Sequence, residues 1–159
     1  MSFNLRDSRF ISALVSHIEE GLVLTVGLLS GMAIAGISEK TIVLVGIIFV
    51  ITGGISAAAR NVLTRSYGDA EAPVHHSAQE GVMMALLYIV AGIVPLLPYM
   101  LMEVSRAFTT SIVCSFAAAF IIGLWSGHHG PAVWKSSYHL AYVAAAGAII
   151  GAIAHMVLQ

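Results

Sequence analysis

The sequence predicts an all-α integral membrane protein, a bundle of five transmembrane helices in a single domain. Of its 159 residues, 58% are hydrophobic and 9% are charged, and the mean hydropathy is +0.92. In soluble globular domains about a quarter of the residues are charged. The apolar runs are long enough to cross a bilayer, which takes roughly 20 residues of helix, and none shows the two-residue alternation of a barrel strand.

The five predicted helices are residues 11–37, 41–63, 78–102, 108–126 and 138–158, each bounded by polar or turn-forming residues. The links between them are short, except for a polar loop predicted from Thr64 to Gly81. Lys and Arg near the span ends are concentrated on the side of the N-terminus, so the positive-inside rule predicts a cytoplasmic N-terminus and an outer or luminal C-terminus. A formal net charge of -1 gives no reason to expect a nucleic-acid partner.

The first helix carries ionisable residues inside an apolar run. Such groups cost at least about 2.5 kcal/mol each in a membrane span, yet His17, Glu19 and Glu20 are all present. His17 and Glu20 share a face with Gly27 and Gly31, a GxxxG pair typical of close helix packing. We therefore expect Glu20 on a packing face, with Glu19 about 100° away. Alternatively, the apolar run after Glu20 spans the membrane by itself and both glutamates lie in the headgroup region.

The later helices carry signals for packing and bending. The third contains Pro95 and Pro98, each of which removes a helix hydrogen bond and bends the segment. The fourth holds Cys114, the single cysteine of the chain, so no intrachain disulfide is possible. The fifth has Gly147 and Gly151 four residues apart, which predicts another close-packing face.

Several of these segments resemble one known family. The run EEGLVLTVGLLSGMAIAG is similar to the first membrane helix of the vacuolar iron transporter (VIT) family, whose pattern there is approximately DGLVTTFGLVAGVAGAG. GISAAARNVLTRS resembles its LSMAAGEYLSVRS segment, GIVPLLPYM its proline-containing third helix, and FIIGLWSG with the glycine-rich last helix its C-terminal half. The resemblance implies a five-helix, dimeric exporter of Fe²⁺ or Mn²⁺ from the cytoplasm, coupled to proton entry.

In that resemblance Glu20 matches the membrane aspartate of the family. The resemblance also implies that the first two helices line the path of the transported ion, near the dimer interface. Other positions depart from the family pattern. Ala57 falls where the family has a methionine, Asn61 where it has a glutamate, and His17 where it has a glycine. The acid-rich cytoplasmic metal-binding region of many members is reduced here to the short loop between helices two and three.

Carboxylate oxygen and imidazole nitrogen suit Fe²⁺ and Mn²⁺, so Glu20 and His17, with their copies across a two-fold axis, would give a four-ligand set. A carboxylate that releases its proton when a cation arrives meets the minimum requirement for exchange of metal against H⁺. Arg60 bears on this hypothesis. It either pairs with Glu19 and leaves Glu20 available, or neutralises the site by pairing with Glu20.

Further histidines are candidates for a metal entrance on the cytoplasmic side. His75 and His76, together with Glu80, are predicted either to collect metal at the mouth of the path or to belong to a solvated loop. His128 and His129 are predicted on the same side of the membrane and have the same two interpretations.

The function predicted from these residues is transport of a divalent metal ion, with no enzymatic activity and no tightly bound cofactor. Two alternatives are a membrane redox protein whose histidines ligate haem and a transport-inactive scaffold of the same fold. The expected partners are membrane lipid, divalent ions and a second copy of the chain that packs at Gly27 and Gly31. The expected location is the cell membrane of a prokaryote, or the vacuole or another organelle of a eukaryote.

Overall fold

The computed structural model describes residues 8–68 and 74–127, together with residues 149, 153, 156 and 157. These residues form four helices: α1 (Ser8–Ile34), α2 (Glu39–Gly68), α3 (Val74–Leu101) and α4 (Val104–Gly127). Each of the four is long and apolar enough to cross a membrane, and the described part of the chain contains no strand. The described part of the chain is therefore all-helical, and its four apolar helices indicate a multi-pass membrane protein.

The fifth predicted helix, residues 138–158, lies mostly outside the described residues. Its four described positions are helical and their side chains are exposed. The predicted five-helix count and the predicted orientation of the termini therefore stay predictions.

The loop predicted from Thr64 to Gly81 was too long. α2 continues to Gly68 and α3 begins at Val74, which leaves residues 69–73 between them. No glycine or proline interrupts the chain between Leu63 and Gly68, so the helix continues past the apolar run and ends at a glycine. Pro73 directly precedes α3, consistent with the preference of proline for helix starts. As a result, His75 and His76 lie in the first turn of a helix and not in a loop.

The turn between α1 and α2 is closed by local hydrogen bonds. Gly36 has a positive φ of 73°, and the amides of Gly36 and Ile37 donate to the carbonyls of Ala33 and Met32, respectively. This pair of bonds is a Schellman motif, which ends a helix on a glycine. Ser38 then caps the N-terminus of α2, because its hydroxyl accepts a hydrogen bond from the Thr41 amide at 3.4 Å.

α3 packs against all three other helices, most extensively against α2 and then against α1. α1 also contacts α4 and, to a smaller extent, α2. α1 is the most buried of the four spans. Of its apolar segment 56% is buried by the rest of the protein, against 44% for α3 and 28% for α2 and for α4. The outer faces of α2, α3 and α4 expose large apolar side chains, as expected for helices that face lipid. Among them are Leu44, Ile48, Ile51 and Ile55 on α2, Val82, Leu86 and Val90 on α3, and Val113 and Phe120 on α4.

The two ends of the bundle differ in composition. We call the end where α1 and α3 finish the distal end, and the end where they start the proximal end. At the distal end an apolar cluster joins all four helices; its buried members are Leu29, Ile42, Leu96, Tyr99 and Ala107. Charged and polar groups meet at the proximal end, which therefore holds the candidate site.

Candidate metal centre

The centre of the proximal end is the carboxylate of Glu20, whose two oxygens face different partners. Oε1 accepts a hydrogen bond from Nη2 of Arg60 at 2.7 Å. Oε2 lies 3.6 Å from Nδ1 of His17. The Glu20 side chain is 27% exposed and that of His17 is 16% exposed, whereas Arg60 is 56% exposed. The site is thus partly shielded and opens towards Arg60.

Helix geometry explains why these residues meet. His17 and Glu20 are one turn apart on α1 and share a face, as the sequence predicted. Side chains on a helix lean towards its N-terminus, and α2 runs antiparallel to α1. Arg60 therefore leans back along α2 to the level of Glu20. Of the two alternatives for Arg60, the structure contains the pair with Glu20, and the half-buried Glu19 takes no part in the described ion pairs.

Tyr88 of α3 is a further member of the site that the sequence did not suggest. Its side chain is 2% exposed, and Tyr88 packs against α1 and α2, the two helices that carry Glu20 and Arg60. The α1 glycine that follows Glu20, Gly21, makes room for the Tyr88 backbone, since a Cβ there would lie 2.5 Å from the Tyr88 carbonyl oxygen. Gly53 of α2 makes room for the ring, since a Cβ there would lie 2.5 Å from the hydroxyl.

The gap between His17 and Glu20 matches the spacing of two ligands on one ion. With ligand bonds of about 2.1 to 2.2 Å, as in zinc sites, a separation of 3.6 Å corresponds to an angle of about 110–120° at the metal. Nδ1 of His17 is buried and has no hydrogen-bond partner among the described residues. Buried nitrogens are normally satisfied, so this atom is available as a ligand.

Comparison with known proteins identifies the family. A sequence model of the VIT family matches residues 59–158. The chain belongs to the VIT family. No curated protein matches it. The matched stretch contains the end of α2 with Arg60 and all of α3 and α4, while His17 and Glu20 precede it. VIT membership, together with four apolar helices, indicates a membrane protein that transports metal ions.

For the other predicted site residues of this VIT protein, the structure gives their burial and their place on the helices. Ala57 is fully buried. Asn61 is half-buried, and its Oδ1 has no hydrogen-bond partner in the described part of the chain. Glu80 is half-buried on α3, eight residues before Tyr88 and therefore about 12 Å away along the helix axis. Within the described residues, no group of three or more His, Cys, Asp or Glu side chains could hold a metal ion.

The four predicted entrance residues lie wholly or in their side chains outside the described part of the chain. The side chains of His75 and His76 lie outside the described residues, as do His128 and His129 altogether. The two glycines of the predicted dimer face differ in burial. Gly27 is buried within the single chain, and Gly31 is only half-buried. Of that pair, Gly31 is the position more accessible to a second copy.

Proposed function

We propose that this VIT protein transports a divalent metal ion, Fe²⁺ or Mn²⁺, out of the cytoplasm in exchange for protons. The observation that carries the proposal is the 3.6 Å approach of Glu20 Oε2 to His17 Nδ1 on α1, the most buried of the four described helices. A membrane-embedded carboxylate and imidazole are costly to keep and are typically functional.

The chemistry of the pair suits exchange of a cation for protons. A metal binds carboxylate and neutral imidazole only after their protons have left, so binding at one side and release at the other couples the two flows. Oxygen and nitrogen ligands accept Fe²⁺ and Mn²⁺ and do not require the soft thioether that is absent at Ala57.

One described chain supplies two ligands, and a symmetric dimer would supply four. We propose a homodimer in which the α1 face with Gly31 lies near the two-fold axis, since small residues let helix backbones approach in lipid. A large side chain at this position should hold the copies apart. Gly31→Leu is therefore expected to shift the protein towards monomer in cross-linking and in single-molecule photobleaching in lipid, and an intact Gly31→Leu dimer would place the interface elsewhere.

The direct test of the function is transport in proteoliposomes. Purified protein should carry Mn²⁺ or Fe²⁺ across the bilayer and acidify or alkalinise the lumen according to the imposed gradient, as read by trapped metal-sensitive and pH-sensitive dyes. Metal flux without proton movement would remove the exchange mechanism. Lack of any metal flux in correctly folded protein would favour the scaffold alternative, and a haem band in the visible spectrum would favour the redox alternative.

A further inference from the structure

The ion pair between Arg60 and Glu20 occupies the carboxylate that the proposed function assigns to the metal. Nη2 of Arg60 donates to Oε1 at 2.7 Å, so an arriving cation meets a carboxylate that already holds a positive charge. A divalent ion and a guanidinium do not share one small site without repulsion. Binding of metal at the adjacent Oε2 therefore weakens the pair at Oε1 and favours movement of Arg60 away from the carboxylate.

Arg60 is able to move because it lies at the open side of the site. More than half of its side chain is exposed, and ion pairs of this exposure contribute little net stability. When Arg60 leaves Glu20, its guanidinium stays protonated and carries five donors, so a hydroxyl acceptor nearby would stabilise the displaced position.

Tyr88 offers such an acceptor. Its hydroxyl lies against Gly53 of α2, on the stripe of that helix that also carries Arg60 two turns later. Its backbone is fixed against Gly21, next to Glu20. Tyr88 thus packs its hydroxyl against the helix that carries the arginine and its backbone against the helix that carries the carboxylate.

We propose that Arg60 is an exchangeable counter-cation, which the transported divalent ion displaces from Glu20 and which Tyr88 then receives. This inference rests on the proposed function, because it assigns the metal to Glu20. In the empty protein Arg60 neutralises the carboxylate, and in the loaded protein the metal does so. Arg60 would therefore set how tightly the site binds metal and ensure that the carboxylate is neutralised in both states.

The test measures Mn²⁺ binding to the full-length protein in detergent, from the loss of the free-ion electron paramagnetic resonance signal. Arg60→Gln removes the competitor, so the affinity should rise about fivefold, the equivalent of about 1 kcal/mol. Arg106→Gln is the matched control, since Arg106 is exposed at the distal end. The Mn²⁺ affinity of this variant should equal that of the parent protein. Unchanged or weaker binding by Arg60→Gln would overturn the inference.

A double-mutant cycle tests Tyr88 separately. Tyr88→Phe keeps the ring against Gly53 and removes the acceptor, so it should weaken Mn²⁺ binding a few-fold. In the Arg60→Gln background it should have no effect, since no guanidinium remains to be received. An equal shift in both backgrounds would overturn the role of Tyr88.

Two further outcomes are separable. If Arg60→Gln does not fold, Arg60→Lys is the second variant, since a lysine ammonium pairs with a carboxylate less strongly than the planar guanidinium does. This variant should raise the Mn²⁺ affinity about twofold. No rise would overturn the inference. Absence of Mn²⁺ binding by the folded parent would overturn the proposed function and the inference together. A parent that binds, with Arg60 variants that bind equally, would overturn the inference alone.

Discussion

The two ends of the bundle are built from different interactions. At the distal end, α1 closes on the Gly36 turn, and four helices meet in a cluster that is hydrocarbon apart from the Tyr99 hydroxyl. At the proximal end, the same helices bring together a carboxylate, an imidazole and a guanidinium. Tight apolar packing at one end allows a costly polar group at the other, which suggests that the distal end carries stability and the proximal end carries function.

The largest expected effect that separates the two ends comes from Glu20→Gln, which keeps size and removes the charge. Changes to the outer partners of a metal ligand typically cost about 10- to 100-fold in affinity or activity, so loss of the ligand charge should reduce transport more than about 100-fold. The free energy of unfolding should change by less than about 1 kcal/mol, because the ion pair between Glu20 and Arg60 is partly exposed.

Glu19→Gln is the matched control for this change on the same helix. Since the described ion pairs include Glu20 and not Glu19, this variant should retain most of the transport in proteoliposomes. The reverse result, with Glu19→Gln inactive and Glu20→Gln active, would mean that the wrong face of α1 was assigned.

A second comparison uses two glycines, one at each end. A Cβ at Gly21 would meet the backbone carbonyl of Tyr88 at 2.5 Å, and backbone cannot rotate away. Gly21→Ala should therefore separate α1 from α3 at a cost of about 1–3 kcal/mol and disturb the site. A Cβ at Gly46 would meet the ends of two leucine side chains, which can turn aside.

Gly46→Ala should accordingly change stability by less than about 1 kcal/mol, helped by the better helix propensity of alanine. Unfolding in detergent, followed by circular dichroism, measures both variants. Equal destabilisation by the two substitutions would show that the approach of α1 to α3 at Gly21 is not as tight as described.

The smallest functional effect is expected from Leu29→Ala in the distal cluster. Leu29 is fully buried, so truncation should cost about 2–4 kcal/mol of stability through the cavity it leaves. Transport per folded molecule should stay within about twofold of the parent, because the site lies at the other end. A large loss of transport in folded Leu29→Ala protein would show that the two ends are coupled.

Much of this arrangement could be predicted from the sequence. The apolar runs predicted the four described spans, and the three-residue spacing of His17 and Glu20 predicted their shared face. Tyr88 was missed because its role depends on the register between three helices, which Gly21 and Gly53 set through close approach. The one available signal was a polar hydroxyl in an apolar run, and tyrosine occurs there often enough for packing alone.

The partner of Arg60 was also beyond sequence reasoning. Both glutamates are within reach of an arginine near the end of α2, and only the rotation of α1 about its axis selects Glu20. The length of the link between α2 and α3 was overestimated for a different reason, since polar residues from Thr64 to Tyr67 continue a helix into water as readily as they form a loop.

The measurement that tests the central claim most directly is the position of the ion. Crystals or vitrified particles prepared with Mn²⁺ should show metal density, confirmed by anomalous scattering in the crystal, within about 2.5 Å of Glu20 Oε2 and His17 Nδ1. Arg60 should be displaced from Oε1 in that structure. Density beside His75 and His76 alone, with the Glu20 to Arg60 pair intact, would contradict the account.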